Sequence, residues 1–185
     1  MKIAVAWIVL LTFFAFPAKA GVPETQLLYL LHGIETQEVV TRPEAGVVAS
    51  FRPMPDGGLS FTISFADQDD TRLLFTYHYT VMANCVVKAV LLTTAFKQGQ
   101  DALTARKDMV LDWRNVSGLS FVKVLGINNT VVDGLRVQCR TDTGGACENP
   151  TGSSETWNWP TVADEKKATL ALAKFKNEFC KETTQ

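Results

Sequence analysis

The sequence LSFTISFADQDDTRLLFTYHYTV, residues 59–81, decides the fold class because apolar and polar side chains alternate on both sides of one turn. Apolar residues occupy every second position of 59–65, and aromatic residues do so in 75–79. A period of two is typical of half-buried strands. The segment 67–70, Asp-Gln-Asp-Asp, favours a turn. These residues predict two consecutive antiparallel strands.

Further short strands are predicted on either side of this pair. Apolar and β-branched residues place them at 47–51, 85–92 and 109–113, and a hairpin is predicted from 121–125 and 131–139 about the turn 126–129. The polar segment 98–106 predicts a loop, and the Gly-, Thr- and Ser-rich segment 141–155 predicts a long one.

Helical spacing appears at both ends of the chain. Leucines recur on one stripe between Pro23 and Glu35, where Gly33 limits the helix to a short one. Ala168, Leu172, Phe175 and Phe179 form an apolar stripe within 162–181, and Thr161 with Asp164 has the spacing of a capping box. The prediction is a mostly β, α+β fold: a bent antiparallel sheet or partly open barrel of about seven strands, with a short N-terminal and a long C-terminal helix.

The N-terminus has the pattern of a secretory signal peptide. Lys2 precedes an apolar run from Ala4 to Phe16, and Ala18-Lys19-Ala20 matches a small-residue cleavage site. The run is shorter than the about 20 residues that span a bilayer. We expect residues 1–20 to be removed and 21–185 to form a single exported domain, periplasmic or secreted, without a stable membrane anchor.

Charge and composition narrow the range of partners. The chain has 18 basic and 19 acidic residues, a formal net charge of -1, so no basic surface for nucleic acid is expected. Asn115 and Asn128 begin glycosylation sequons, which matter only in a eukaryotic source.

Four cysteines, Cys85, Cys139, Cys147 and Cys180, lie after the predicted cleavage site. An even number in an exported chain favours disulfides, and the absence of close Cys-x-x-Cys pairs disfavours a zinc site. Four cysteines allow three pairings. Turn-forming residues between Cys139 and Cys147 can bring those two together, which would leave Cys85 to pair with Cys180.

Motifs for catalysis and cofactor binding are missing from the sequence. Neither His32 nor His78 has a flanking partner motif, and each is expected to be a surface or boundary residue. No nucleophile elbow, phosphate-binding glycine loop or calcium-binding loop is found, so no catalytic residue, cofactor or metal site is predicted.

Aromatic residues are the candidates for ligand binding. Trp157 and Trp159 occupy alternate positions of an extended segment and can stack together on a sugar or a peptide, and Tyr77 and Tyr79 alternate in the same way. The alternative for all four is core packing, which large aromatic side chains commonly serve.

Asn84-Cys85, residues 110–113 and the helix from Asp164 to Cys180 resemble a class of small exported bacterial domains of unassigned function. Those domains have an N-terminal helix, an antiparallel meander and a closing helix that ends in Cys, and in outline they resemble pleckstrin-homology-like barrels. The likeness covers most of the mature chain, although the loop 144–155 departs from it. It implies a Cys85–Cys180 bridge, a binding or interaction role and no catalytic residues.

The sequence therefore predicts a non-catalytic binding or interaction module whose partner is an unknown protein or small ligand. Two alternatives are kept: a small β-barrel that carries an apolar ligand, and an enzyme whose site is assembled from residues distant in sequence. An exposed apolar patch would indicate a subunit or inhibitor of a larger assembly.

Overall fold

A computed structural model describes residues 22–44, 46–65, 71–82, 84–124, 126–142, 144 and 157–180. The predicted signal peptide, residues 1–20, lies outside this part of the chain, as do most of the predicted loop 141–155 and Cys147.

Two helices and ten strands make up the described residues. They are α1 (Val22–His32), β1 (Val39–Thr41), β2 (Val47–Pro53), β3 (Leu59–Phe65), β4 (Arg72–Val81), β5 (Val86–Phe96), β6 (Leu103–Asp112), β7 (Gly118–Val124), β8 (Ile127–Asp133), β9 (Arg136–Thr141), β10 (Asn158–Pro160) and α2 (Glu165–Phe179). The fold class is as predicted: mostly β, with a short N-terminal and a longer C-terminal helix.

The main sheet is antiparallel and has the strand order β1-β2-β3-β4-β5-β6-β9. A second, smaller sheet has the order β10-β8-β7. The seven-stranded sheet is not closed into a barrel. Helix α1 contacts α2, β4, β8 and β10, and α2 also contacts β7, so the helices join the two sheets.

One face of the main sheet forms the core with the helices. Its side chains alternate with those of the outer face, as a pleated strand requires. The buried members are Ala49, Phe51, Leu59, Phe61, Ile63, Tyr77, Tyr79, Val87, Ala89, Leu91, Met109 and Leu111. Helix α1 contributes four buried leucines to the same cluster, and α2 contributes Leu172 and Phe175.

A disulfide joins Cys85, in the turn between β4 and β5, to Cys180 at the end of α2, and their Cα atoms are 4.4 Å apart. This pairing was predicted. Cys139 is also disulfide-bonded. The predicted pairing of Cys139 with Cys147 stays a prediction because Cys147 lies outside the described residues. No free thiol occurs among the cysteines that the structure describes.

Three details of the sequence-based assignment are wrong. Strand β6 begins at Leu103, inside the segment predicted as a loop. The segment 131–139 is divided between β8, in the smaller sheet, and β9, which pairs with β6. The capping box is replaced by two separate caps, because Asp164 accepts a hydrogen bond from the Lys167 amide while Thr161 Oγ1 accepts one from the Ala163 amide.

Removing the N-cap of α2 is expected to have a modest effect. Asp164 has extended backbone angles, and its Oδ1 lies 3.0 Å from the Lys167 amide nitrogen, which otherwise has no helical acceptor. Asp164→Ala should lower the free energy of unfolding by about 1 kcal/mol, as measured by urea denaturation. The exposed Asp101, in the turn between β5 and β6, supplies the control Asp101→Ala. Equal stability of the two variants would contradict the capping role.

No helix within the described residues is long and apolar enough to cross a membrane.

Candidate functional site

Three of the four predicted binding residues are buried. The side chains of Tyr77, Tyr79 and Trp159 are 5%, 4% and 2% exposed, and Trp157 is half-buried against the core. The two tyrosine rings are stacked, with centroids 6.2 Å apart. This is the arrangement that the core-packing alternative predicts. A ligand that stacks on Tyr77, Tyr79 or Trp159 needs these packing contacts to open, and ligand binding by the four residues stays a prediction.

His32 connects this aromatic cluster to the end of α1. It is 0% exposed, so its predicted place at a surface or boundary is wrong. Its Nδ1 lies 2.7 Å from the carbonyl oxygen of Pro160 in β10, and its Nε2 lies 2.8 Å from the hydroxyl of Tyr79 in β4. The Tyr77 ring centroid is 5.0 Å from the imidazole centroid. One side chain therefore joins α1, β4 and β10.

The hydrogen bonds of His32 assign its tautomer. A carbonyl oxygen can only accept, so Nδ1 carries the proton and donates it to Pro160. In the neutral ring Nε2 then has a lone pair and accepts the O–H of Tyr79. Burial lowers the pKa of His32 to about 4, and the Pro160 carbonyl opposes that shift. Burial likewise raises the pKa of Tyr77 and of Tyr79. All three groups are uncharged at neutral pH.

His78 lies on the opposite, outer face of β4, as the alternation in 75–79 predicts. Its Nδ1 is 3.1 Å from Asp56 Oδ2, and both side chains are substantially exposed. The hairpin between β2 and β3 places Asp56 there, and the Gly58 amide donates to Asp56 Oδ1. A His–Asp pair is one part of many catalytic sites, but a reaction also needs a third group and a substrate position. Within the described residues, no group of three or more His, Cys, Asp or Glu could hold a metal ion.

A third candidate surface arises because the strands are longer than the helices that cover them. Residues 72–76 of β4, 92–96 of β5 and 103–107 of β6 are hydrogen-bonded neighbours, and none of them is buried. We call this region the distal sheet. On the face that continues the core, Leu73 pairs with Ala95, which pairs with Leu103. Leu103 is 74% exposed. The distal sheet thus carries an apolar row in which Leu103 is exposed and Leu73 and Ala95 are half-buried.

Comparison with protein-family models, curated proteins and solved structures finds no match to this chain.

Sequence reasoning missed the distal sheet because residues 98–106 were interpreted as a polar loop. The sequence did contain a period of two that is typical of a strand. Its alternate positions are Leu103, Ala105, Lys107, Met109 and Leu111. The charged Arg106, Lys107 and Asp108 obscured it. These charged side chains remain exposed or half-buried at the strand surface, where they cost little. The burial of His32 had no comparable signal, since it follows from the meeting of three elements.

Proposed function

We propose that the protein is a non-catalytic interaction module of the cell envelope or the secreted space, and that the distal sheet is its surface for binding another protein. The observation that carries the proposal is the apolar row of Leu73, Ala95 and Leu103 on a three-stranded platform, in which Leu103 is 74% exposed and the other two side chains are half-buried. Contiguous apolar surface that a folded domain leaves exposed is typical of interaction sites. The Cys85–Cys180 disulfide is compatible with an oxidising, exported compartment.

The surroundings of the row also fit a protein partner. The exposed Lys97 and Asp101, between β5 and β6, bring both signs of charge to this end of the sheet. A polar rim around an apolar centre is the usual anatomy of protein interfaces. The platform is pre-formed, because the same strands continue into the core where Tyr77, Leu91 and Met109 are buried. A rigid surface loses little conformational entropy on binding.

The alternative of a barrel that carries an apolar ligand has less support because the seven-stranded sheet is not closed. A closed wall is what isolates a small apolar ligand from water in such carriers. That the protein is not an enzyme stays a prediction.

The test combines photo-crosslinking with a binding measurement. A benzophenone amino acid at Leu103 should crosslink to one protein of the source envelope or medium, identified by mass spectrometry, whereas the same probe at Lys88 should not. Lys88 is the matched control because it is exposed on the neighbouring strand, β5, but lies on the outer face of the sheet, away from the distal sheet. Its neighbours along the strand are buried in the core. The purified partner should then bind Leu103→Asp at least about tenfold more weakly than the parent protein, as expected for a central interface residue.

Leu103 is so exposed that Leu103→Asp should leave the free energy of unfolding within about 0.5 kcal/mol of the parent value. Weaker binding would then report on the surface and not on folding. Unchanged affinity for the purified partner, or equal crosslinking from Leu103 and Lys88, would refute the distal sheet as the binding surface.

A further inference from the structure

His32 makes a contact whose geometry depends on the absence of one proton. Its Nδ1–H donates to Pro160, and its Nε2 accepts from the Tyr79 hydroxyl; we call these two hydrogen bonds the His32 contact. A proton from solvent on Nε2 would set an N–H donor against an O–H donor. The Tyr79 hydroxyl hydrogen would have to rotate away from His32. Because His32 and Tyr79 are both buried, solvent is not available there to accept it. A buried donor without an acceptor is strongly unfavourable.

Among the residues that the structure describes, no carboxylate pairs with His32 to compensate a positive charge. The titratable and charged groups on the elements packed about it are Arg72, Tyr77, His78 and Tyr79 of β4, Glu24 and Tyr29 of α1, Asp133 of β8, and Glu165, Lys166, Lys167, Lys174, Lys176 and Glu178 of α2, with Glu35 after α1 and Asp164 before α2. Glu24 accepts a hydrogen bond from the Val81 amide, and Glu178 accepts one from Gln26. None of these carboxylates contributes to the pKa of His32, which burial lowers and the Pro160 carbonyl raises.

We propose that the His32 contact is an acid-sensitive fastening: protonation of His32 releases α1 and β10 from the main sheet and uncovers Tyr77 and Tyr79. The disulfide determines which parts separate. Helix α2 is covalently attached to the β4–β5 turn through Cys85–Cys180, whereas the described part of α1 contains no cysteine. Beyond the His32 side chain, the backbone near this point is held by the bond from the Val162 amide to the His32 carbonyl. This inference does not depend on the proposed function.

The direction of the pH effect follows from linkage. His32 in an opened segment has the ordinary pKa of 6.5, and in the closed protein about 4, so the open form binds the proton more tightly. The neutral His32 stabilises the closed form fully above pH 6.5. This stabilisation is lost as the pH falls to about 4, and at lower pH it changes little. The two values correspond to an about 100-fold increase in the open-to-closed ratio between pH 7 and pH 4.

Hydrogen exchange on the purified protein tests this inference, with rates corrected for the intrinsic pH dependence of exchange. Amides of α1 around Leu27–Leu31 should lose protection by up to about 100-fold from pH 7 to pH 4. Amides at the C-terminal end of α2 should lose much less. His32→Gln, neutral at every pH, should remove most of the acid effect on α1. His78→Gln is the matched control, because it removes the exposed histidine of β4, and it should behave as the parent protein does.

Two results would overturn the inference: the same acid dependence of α1 exchange in His32→Gln, or equal loss of protection in α1 and α2. Should His32→Gln fail to fold, the imidazole resonances of the parent protein decide the question. Titration of His32 well below 6.5, accompanied by exposure of α1, supports the fastening. Titration near 6.5 while α1 stays protected refutes it.

Discussion

Replacing Cys85 and Cys180 together by alanine is expected to lower the free energy of unfolding by about 4 kcal/mol, in denaturant titrations under oxidising conditions at pH 7. The bridge spans a sequence separation of 95 residues, so it removes many conformations from the unfolded chain. It also holds the last turn of α2 against the sheet, where Phe175 packs on Trp113 with ring centroids 5.2 Å apart.

The backbone at Cys85 provides a matched comparison. Cys85 has φ +63°, a left-handed conformation that glycine adopts more easily than alanine. The pair Cys85→Gly with Cys180→Ala should therefore be about 1 kcal/mol more stable than the double alanine variant. A reductant should destabilise the parent protein more than the double alanine variant, in which the disulfide of Cys139 remains. Equal responses to reductant would contradict the stabilising role of the Cys85–Cys180 bridge.

Gly33→Ala is expected to lower the free energy of unfolding by about 2 to 5 kcal/mol, the sum of left-handed backbone strain and overpacking. Gly33 follows the last residue of α1 and has φ +72°. A Cβ atom there would lie 2.3 Å from the Ala163 nitrogen and 2.7 Å from the Val162 carbonyl carbon. Both are backbone atoms, so α1 and the segment before α2 would have to move apart. Thermal or denaturant unfolding measures the loss.

Gly99 separates the two causes. It has φ +74°, in the turn between β5 and β6, and nothing lies within 4 Å of the site of a Cβ atom. Gly99→Ala should therefore cost about 1 kcal/mol, from strain alone. Similar losses for Gly33→Ala and Gly99→Ala would show that the close approach of α1 to Ala163 contributes little.

The local parts of the fold were predictable from particular residues. Strand β3 has the predicted bounds 59–65, because its apolar and polar side chains alternate without interruption and both ends are marked by turn residues. Strand β4 contains the whole alternating segment 75–79 and ends at Val81, the last residue of the stretch 59–81. Helix α1 ends at His32, one position before the glycine that was expected to shorten it. In each case the deciding interactions are between neighbours in sequence.

Pairing between distant strands was less predictable. Residues 131–139 have one apolar pattern, yet Gly134, at φ +80°, turns the chain so that β8 and β9 join different sheets. The hydrogen bonds that divide them come from β7, β10 and β6, which no local pattern identifies. Strand β10 contains three residues and exists through its pairing with β8. Short strands take their stability from such partners.

The sequence by itself determined the antiparallel β class, the positions of both helices and the opposite faces of Tyr77 and His78, because these follow from periodicity and turn chemistry. Tertiary structure decided that His32 is buried between Tyr79 and Pro160, and that Leu103 is exposed at the end of the row it forms with Leu73 and Ala95. Burial depends on which elements meet and how far each extends. The strands β4, β5 and β6 continue past the helices that cover their other halves. The side-chain pattern along one strand does not show where the covering helices end.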